Sequence, residues 1–273
     1  MVNTTKRLYH YLNIAFQLVW GIGMYAVKFA ISAATAIVIG VGAVQAADLL
    51  TKEPAISGAG PWGQLWAGAD VAPDSTFGYA GAVFAFNNHN LNQDGWLFRV
   101  SGGGGDYRYN LAPGVSQGVD FEAGDITVGY QTFIGQTRLT GYLGGYIEND
   151  ANPDPLATVK GTRAGVKVQG EIFTPFMPNW YAFLLGSYTS AWNNFLLIGR
   201  LGDQITPAVS VGPEVMGLGN DRYDEVRAGG FLSFNVTTLT QFIVSAGYNW
   251  DTRANSLNDH SGGYATVHMR SAF

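Results

Sequence analysis

From Ala47 to the C-terminus the chain alternates. Segments of roughly ten residues switch, position by position, between an apolar class and a polar or charged class, and Gly, Pro, Asn and Asp break the segments. Leu139, Gly141, Leu143, Gly145 and Ile147 interleave with Arg138, Thr140, Tyr142, Gly144 and Tyr146. Ala164, Val166, Val168, Gly170 and Ile172 interleave with Arg163, Gly165, Lys167, Gln169 and Glu171. Val226, Ala228, Gly230, Leu232 and Phe234 do the same against Arg227, Gly229, Phe231 and Ser233. Successive side chains of a strand point to opposite faces, so each segment has one uncharged face and one that carries the charge. No apolar run after Ala47 is long enough to cross a bilayer as a helix.

A soluble sandwich or barrel alternates too, with its apolar face inward. Three features favour the inverse arrangement, apolar toward lipid and polar toward a lumen. Charged residues are only 13% of the chain, about half the roughly 25% usual in soluble domains. Aromatic residues reach 14% and gather near segment ends. An export signal precedes the alternation. Only a closed barrel lets strands cross lipid without an unsatisfied edge. The expected fold is therefore all-β: a transmembrane antiparallel up-and-down barrel of about twelve strands. These fall at 62–72, 77–87, 95–109, 118–132, 136–148, 160–173, 179–191, 194–202, 207–216, 222–235, 240–251 and 262–273. The 227 residues from Ala47 onward give about nineteen per strand and turn. The least regular segment is 194–202, where Leu196 and Ile198 share a face with Arg200. With both termini periplasmic, 149–159 and 252–261 are long outer loops, and 133–135, 203–206 and 236–239 are short inner turns. The last segment closes on Phe273, which bacterial barrel assembly reads as a terminal signal.

Residues 29–44 form a 16-residue uncharged stretch behind Lys28, and Val44-Gln45-Ala46 offers a small-residue exit. A basic residue, an apolar core and such an exit make a secretory signal peptide, cut between Ala46 and Ala47; the competing transmembrane helix needs about 20 apolar residues. The organisation is then a signal peptide (1–46), a periplasmic lead-in (47–61) and a barrel (62–273). A start at Met24 would give the signal its ordinary length. Removing residues 1–46 takes away Lys6, Arg7 and Lys28 and no acid, so the formal charge moves from -5 to -8.

That sign argues against a nucleic-acid partner. The absence of cysteine excludes disulfides, thiolate metal sites and a cysteine nucleophile. His10, His89, His260 and His268 have no metal-ligand spacing, and no cofactor is expected. Gly102–Gly105 lacks the Lys-Ser/Thr and helix of a phosphate loop and suits a bend or close packing within a strand. Asp259-His260-Ser261 suggests a hydrolase, but adjacent strand residues face opposite ways and cooperate poorly. Asn220 to Glu225 reads as a mixed-charge outer loop that could meet Ca²⁺ or lipopolysaccharide phosphates.

The expected lumen is more informative. By strand parity Asp70, Arg99, Asp125, Arg138, Lys167, Glu171, Arg200, Glu214, Arg227 and Arg270 face inward, with Tyr142, Tyr146, Trp66, Phe231 and His268. Six bases meet four acids, and a narrow lumen must pair them because buried unpaired charge is costly. Aromatic faces among polar groups suit a sugar chain, and equally suit plain filling of the interior.

Two stretches together resemble a known family. One runs from Trp66 through Asp70-Val71-Ala72-Pro73-Asp74-Ser75-Thr76-Phe77-Gly78-Tyr79-Ala80-Gly81. The other is Ser210-Val211-Gly212-Pro213-Glu214, continuing through Gly219 to Asp224 and Arg227-Ala228-Gly229, and Trp180-Tyr181 with Gly186-Ser187-Tyr188 also fits. They resemble the BcsS cellulose biosynthesis proteins of alphaproteobacteria over about residues 62–273. The resemblance implies an outer-membrane protein tied to cellulose production or export. Its partners would be outer-membrane lipid and lipopolysaccharide, cellulose or cello-oligosaccharide, and cellulose-secretion proteins. It brings no catalytic residue with it. A general small porin, an opacity-type surface barrel and an outer-membrane lipid or polysaccharide hydrolase are the alternatives that the residues leave open.

The targeting segment yields the first testable outcome. N-terminal sequencing of the envelope-localised protein should read Ala-Asp-Leu-Leu, and retention of residues 1–46 would remove the signal-peptide reading.

Overall fold

The computed structural model describes residues 60–273 except 87–88, 113–114, 222–223 and 253–260. The targeting segment, its Ala46/Ala47 exit, most of the lead-in, and His10, Asp259 and His260 lie outside the described residues. Twelve strands follow in order: β1 (Gly63–Ala72), β2 (Ser75–Ala85), β3 (Gly95–Ala112), β4 (Val115–Ile134), β5 (Thr137–Ala151), β6 (Gly161–Met177), β7 (Trp180–Thr189), β8 (Phe195–Thr206), β9 (Val209–Gly219), β10 (Asp224–Asn235), β11 (Thr240–Asp251) and β12 (Gly262–Ala272). Each pairs antiparallel with its sequence neighbours, and β1 pairs with β12, so the sheet is a closed up-and-down barrel.

Closure is specified at the seam. The register runs from Gln64 opposite Ala272 to Val71 opposite Ala265. Phe273 fastens the end of it: its carbonyl accepts from the amides of Trp62 (2.9 Å) and Gly63 (3.2 Å), and its amide donates to the Gly63 carbonyl (2.9 Å). Its ring meets Trp62 edge-on at 4.9 Å. The terminal Phe thus knits the end of β12 to the start of β1, and no edge of the described sheet faces lipid.

The outer face is apolar. Ile126, Leu143, Val166 and Val215 are each more than half exposed, which in water would be an aggregation surface and in lipid is a solvation shell. Outward aromatics flank this belt, Trp96 and Tyr130 toward the end where β1 begins and β12 finishes (the terminal end), Tyr248 and Trp250 toward the far end. A closed barrel with an apolar belt between aromatic girdles is an outer-membrane structure.

Strand lengths divide the barrel into two parts. β3 to β6 span 15 to 20 residues each and rise at the far end as a taller wall, whereas the others have 10 to 12. The far ends and their turns are acidic. They hold Asp74, Asp106, Asp120, Glu122, Glu148, Asp150, Asp154, Asp221, Asp224, Glu225 and Asp251 against Arg108, Lys160 and Arg163 among the described residues.

The structure departs from the sequence reading at three places. The turn expected at 203–206 is strand, and the chain reverses at Pro207-Ala208. Gly202-Asp203 looks like a turn signal, but Gly202 sits within β8 under the Tyr181 ring, 2.2 Å from where a Cβ would stand. The β3–β4 hairpin runs several residues farther than its apolar pattern, because the rim above the belt needs no alternation of hydrophobicity. Finally, one turn at the terminal end is long. Residues 89–94 lie at the barrel mouth, where Leu91 packs with Val83, Leu97 and Tyr142. The Gln131 amide holds this segment by donating to the carbonyls of Leu91 (2.9 Å) and Gln93 (2.8 Å), and the Leu91 amide donates to the Pro61 carbonyl (2.8 Å).

Lys167 and Val168 give a direct test of the two faces. Val168 is half exposed on the belt, while Lys167 is buried beside Asp125. Val168→Arg should cost about 2–4 kcal/mol, the penalty for a lipid-facing charge near the midplane. Lys167→Met leaves Asp125 its bonds to Arg99 and Ser101 and should cost less. Urea unfolding in lipid bilayers measures both, and equal costs would contradict the facing.

Candidate functional site in the barrel lumen

Inside the barrel a cavity of about 660 Å³ extends from Pro61 and Leu239 at the terminal end to Tyr107 and Asn220 at the far end. Asp70, Arg99, Asp125, Arg138, Tyr142, Lys167, Glu171, Arg200, Arg227 and Arg270 all line it. Glu214 stands just behind, 1% exposed, under Arg200.

The charges fall into two groups on opposite walls. On the β3–β6 side, Asp125 accepts from Lys167 (2.7 Å), Arg99 (3.3 Å) and the Ser101 hydroxyl. Arg99 also donates to Gln169 (3.1 Å), whose amide donates to Glu171 (2.7 Å). On the other side, Arg227 forks onto both oxygens of Asp70 (2.9 and 2.7 Å) and donates to Glu225 from two nitrogens (3.1 and 2.9 Å). Arg200 donates to Glu214, which also accepts from Ser245 (3.1 Å) and Tyr264 (3.4 Å). Arg200 and Glu214 meet because they lie opposite each other in the β8–β9 register.

Two arginines do more than pair. The Arg99 guanidinium lies 5.0 Å from the Trp66 ring and 5.7 Å from the Tyr142 ring. Arg200 lies 5.6 Å from Phe231 and 5.9 Å from Phe183. Each cation thus lies near two ring faces while a carboxylate takes its hydrogen bonds. Such cation–π contacts are worth about 0.5–2 kcal/mol each, more where water is excluded. Arg227 similarly lies 5.3 Å from Tyr264, and Arg138 lies 5.9 Å from Phe173 near the terminal mouth.

Glycines opposite the rings set their tilt. Trp66 is directly opposite Gly81, and a Cβ there would stand 2.3 Å from the indole. Tyr142 is opposite Gly129, with a Cβ at 2.4 Å. Each ring lies flat over the bare backbone across the strand, so it follows the wall instead of crossing the lumen. The Gly102–Gly105 run serves packing: a Cβ at Gly105 would fall 1.9 Å from the Thr76 carbonyl.

His268 accepts or donates one bond with the Tyr79 hydroxyl (3.2 Å), their rings 5.9 Å apart, and the Ser261 hydroxyl accepts the Asp251 amide (3.3 Å). Parity alone did not single out Glu225, Gln169 and Glu148, although each lies two residues from a residue named above on the same face. Leu185, Leu196, Ile198, Met216 and Leu218 also line the cavity and make an apolar arc on β7 to β9. A lumen-facing strand there cannot be told from its partner face by hydropathy, because both faces are apolar.

The buried pairs make a specific stability statement. Glu214→Ala leaves Arg200 without its carboxylate in a water-poor setting and should destabilise the barrel by about 3–5 kcal/mol. Urea unfolding in lipid should register this loss, and Glu225→Ala should cost less, because Arg227 keeps its fork onto Asp70.

Comparison with known proteins places this geometry in context. The chain is similar in fold to the KdgM porin (TM-score 0.45, 8% identity, covering 77% of this chain and 99% of that one). It is also similar to LpxR from Salmonella typhimurium (0.44, 10%, 77% and 100%) and to Omp33 from Acinetobacter baumannii (0.38, 12%, 80% and 100%). No curated protein matches it by sequence. The family model for the cellulose biosynthesis protein BcsS matches residues 64–273, the whole barrel from β1 to Phe273, and this chain, with its clamped and charge-paired lumen, belongs to the BcsS family.

Proposed function

We propose that the chain is a non-enzymatic accessory of cellulose production whose lumen is closed at rest and accommodates an uncharged glucan when its arginine clamps part. The observation that carries this reading is the pair of clamps. Arg99 beside Trp66 and Tyr142, and Arg200 beside Phe183 and Phe231, stand on opposite walls of the cavity, each tied to a carboxylate. A general diffusion pore keeps its charges hydrated and its centre open. Here Arg99, Lys167, Arg200 and Arg227 are each paired with a carboxylate, so the interior carries both signs in bonded pairs and is no ring of one sign. It offers ring faces, guanidinium and amide donors and carboxylate acceptors, the groups that stack on and hydrogen-bond to a neutral polyhydroxyl chain.

Passage of a glucan then requires the clamps to move, which suits a component that works with secretion proteins better than a free-standing exit. Partner contacts with lipopolysaccharide would fall on the outer belt and rim. Ser261 bonds to the Asp251 amide and His268 to the Tyr79 hydroxyl.

Single-channel recording in planar bilayers tests the reading. The purified barrel should show small or absent conductance, and Arg99→Ala or Trp66→Ala should raise it. Cello-oligosaccharides should reduce the current of the opened variants. A steady nanosiemens-scale conductance in the unmodified protein would overturn the closed lumen, and opened variants indifferent to cello-oligosaccharides would overturn the glucan.

A further inference from the structure

On the far side of the clamps the lumen changes character. Arg200 lies two residues beyond Ile198 toward the terminal end of β8, and Arg99 lies four residues before Gly103 toward the same end of β3. Between them and the far mouth stand two apolar walls. One is aliphatic: Leu185, Ile198 and Met216 form one cross-strand row on β7 to β9, and Leu196 and Leu218 form part of the next. The other is aromatic. Phe77 and Phe121 flank Gly105 in one row, their rings 5.6 Å apart and within 18° of parallel, and Tyr79 lies 5.4 Å from Phe77. A Cβ on Gly103 would stand 2.9 Å from the Phe77 ring, and one on Gly68 2.5 Å from the Tyr79 ring, so both rings rest against bare backbone. In a ring of twelve strands, β3 and β8 stand across the lumen from each other. The side chains of both walls line the cavity and stay part-exposed to it, whereas an interior merely filled by side chains would bury them. The register makes the edges of both walls polar. The aliphatic rows end on Glu171 and Gln169 of β6 at one side and on Arg227 and Glu225 of β10 at the other. The aromatic row ends on Asp70 of β1 and Asp150 of β5. The space is a slot, apolar at front and back and hydrogen-bonding at both sides.

We propose that this slot binds a flat, β-1,4-linked glucan and selects it over glucans of other linkage. In a β-linked glucopyranose every ring substituent is equatorial, so both faces of the ring present only C–H groups and the hydroxyls project from its edges. Joined through equatorial bonds, such rings make an extended ribbon with two apolar faces and two polar edges. One face meets Phe77, Tyr79 and Phe121, the other meets Leu185, Ile198 and Met216, and the edges meet the carboxylates, amide and guanidinium that bound the walls. An α-1,4-linked chain carries an axial bond at each linkage and curls. It would turn hydroxyls against one of the apolar walls, where they find no partner. The inference rests on the glucan reading and adds where the chain is held and which linkage is preferred. Because the slot lies between the clamps and the far mouth, it is open while the clamps are shut.

Isothermal titration calorimetry tests this on the purified barrel in phosphatidylcholine nanodiscs, where both mouths are accessible, with cellohexaose and maltohexaose as probes. Cellohexaose should bind saturably to the unmodified, closed barrel, and maltohexaose at least about tenfold more weakly. Phe121→Ala on one wall and Ile198→Ser on the other should each weaken cellohexaose binding about tenfold, the worth of one lost apolar contact, and narrow the gap between the two sugars. Heat-modifiable migration shows that each variant is folded. Equal affinity for the two sugars in the unmodified protein overturns the slot whatever the variants do. So does cellohexaose affinity that both folded wall variants leave unchanged. The glucan reading keeps a separate readout, the block of Arg99→Ala current by cello-oligosaccharides. Block without binding to the closed barrel sinks the slot and leaves that reading standing, and absence of both sinks both.

Discussion

A strand can cross lipid only if every backbone N–H and C=O on it has a partner, and the rest of this structure follows from that requirement. Twelve strands satisfy it only when β1 meets β12, so the decisive contacts are those at the seam. Phe273 shows how the chain secures them. Its backbone completes the ladder against Trp62 and Gly63, and its ring packs on Trp62 and Phe84. The last residue of the chain therefore closes the first strand, and closure cannot occur until the whole sheet exists.

Closure creates the second constraint. A twelve-strand barrel is wider than the eight-strand barrels that side chains simply fill and narrower than the porins that hold free water. Charges that point into such a space are neither fully hydrated nor fully packed. The chain resolves this by pairing across strands that are far apart in sequence, as Arg227 does with Asp70 and Arg99 with Gln169. Ring faces then shield the paired guanidinium groups, and glycines opposite the rings leave room for them to lie along the wall. Pairing, shielding and glycine placement are one solution, because removing any of them would push an arginine back into the open lumen.

Much of this was legible in the sequence because a period of two is a local property. Asp70, Asp125, Arg200 and Glu214 could be assigned to a face from their immediate neighbours, without knowing which strands would meet. What could not be read was anything set by cross-strand register. Gly202 looks like a turn and is a bed for Tyr181, which only the β7–β8 pairing reveals. Glu148 looks like the end of a strand and lies within β5, because the rim of β3 to β6 rises above the belt and its far end is set by pairing with β4. The inward fold of Leu91 was invisible for another reason: a hydrophobic residue in a turn carries no periodicity, and its burial depends on Gln131 from a strand forty residues away. The BcsS resemblance gave the family, but it could not supply these pairings.

The distribution of charge separates the two ends of the problem. The barrel's excess of acid sits at the far rim, while the bases concentrate in the lumen and are matched there by carboxylates. If the lumen handled an acidic polymer, the rim would repel the substrate at the mouth and the neutralised interior would give it no anchor. An uncharged chain meets neither obstacle. On the proposed reading it would be indifferent to the rim field and would replace the hydrogen bonds among Arg99, Gln169 and Glu171. The same arrangement penalises ions, since opening a clamp without a hydrogen-bonding substitute exposes a guanidinium and a carboxylate at once. An interior that is costly to open for water and small ions, and less costly for a ligand that replaces the broken bonds, discriminates by chemistry rather than by diameter.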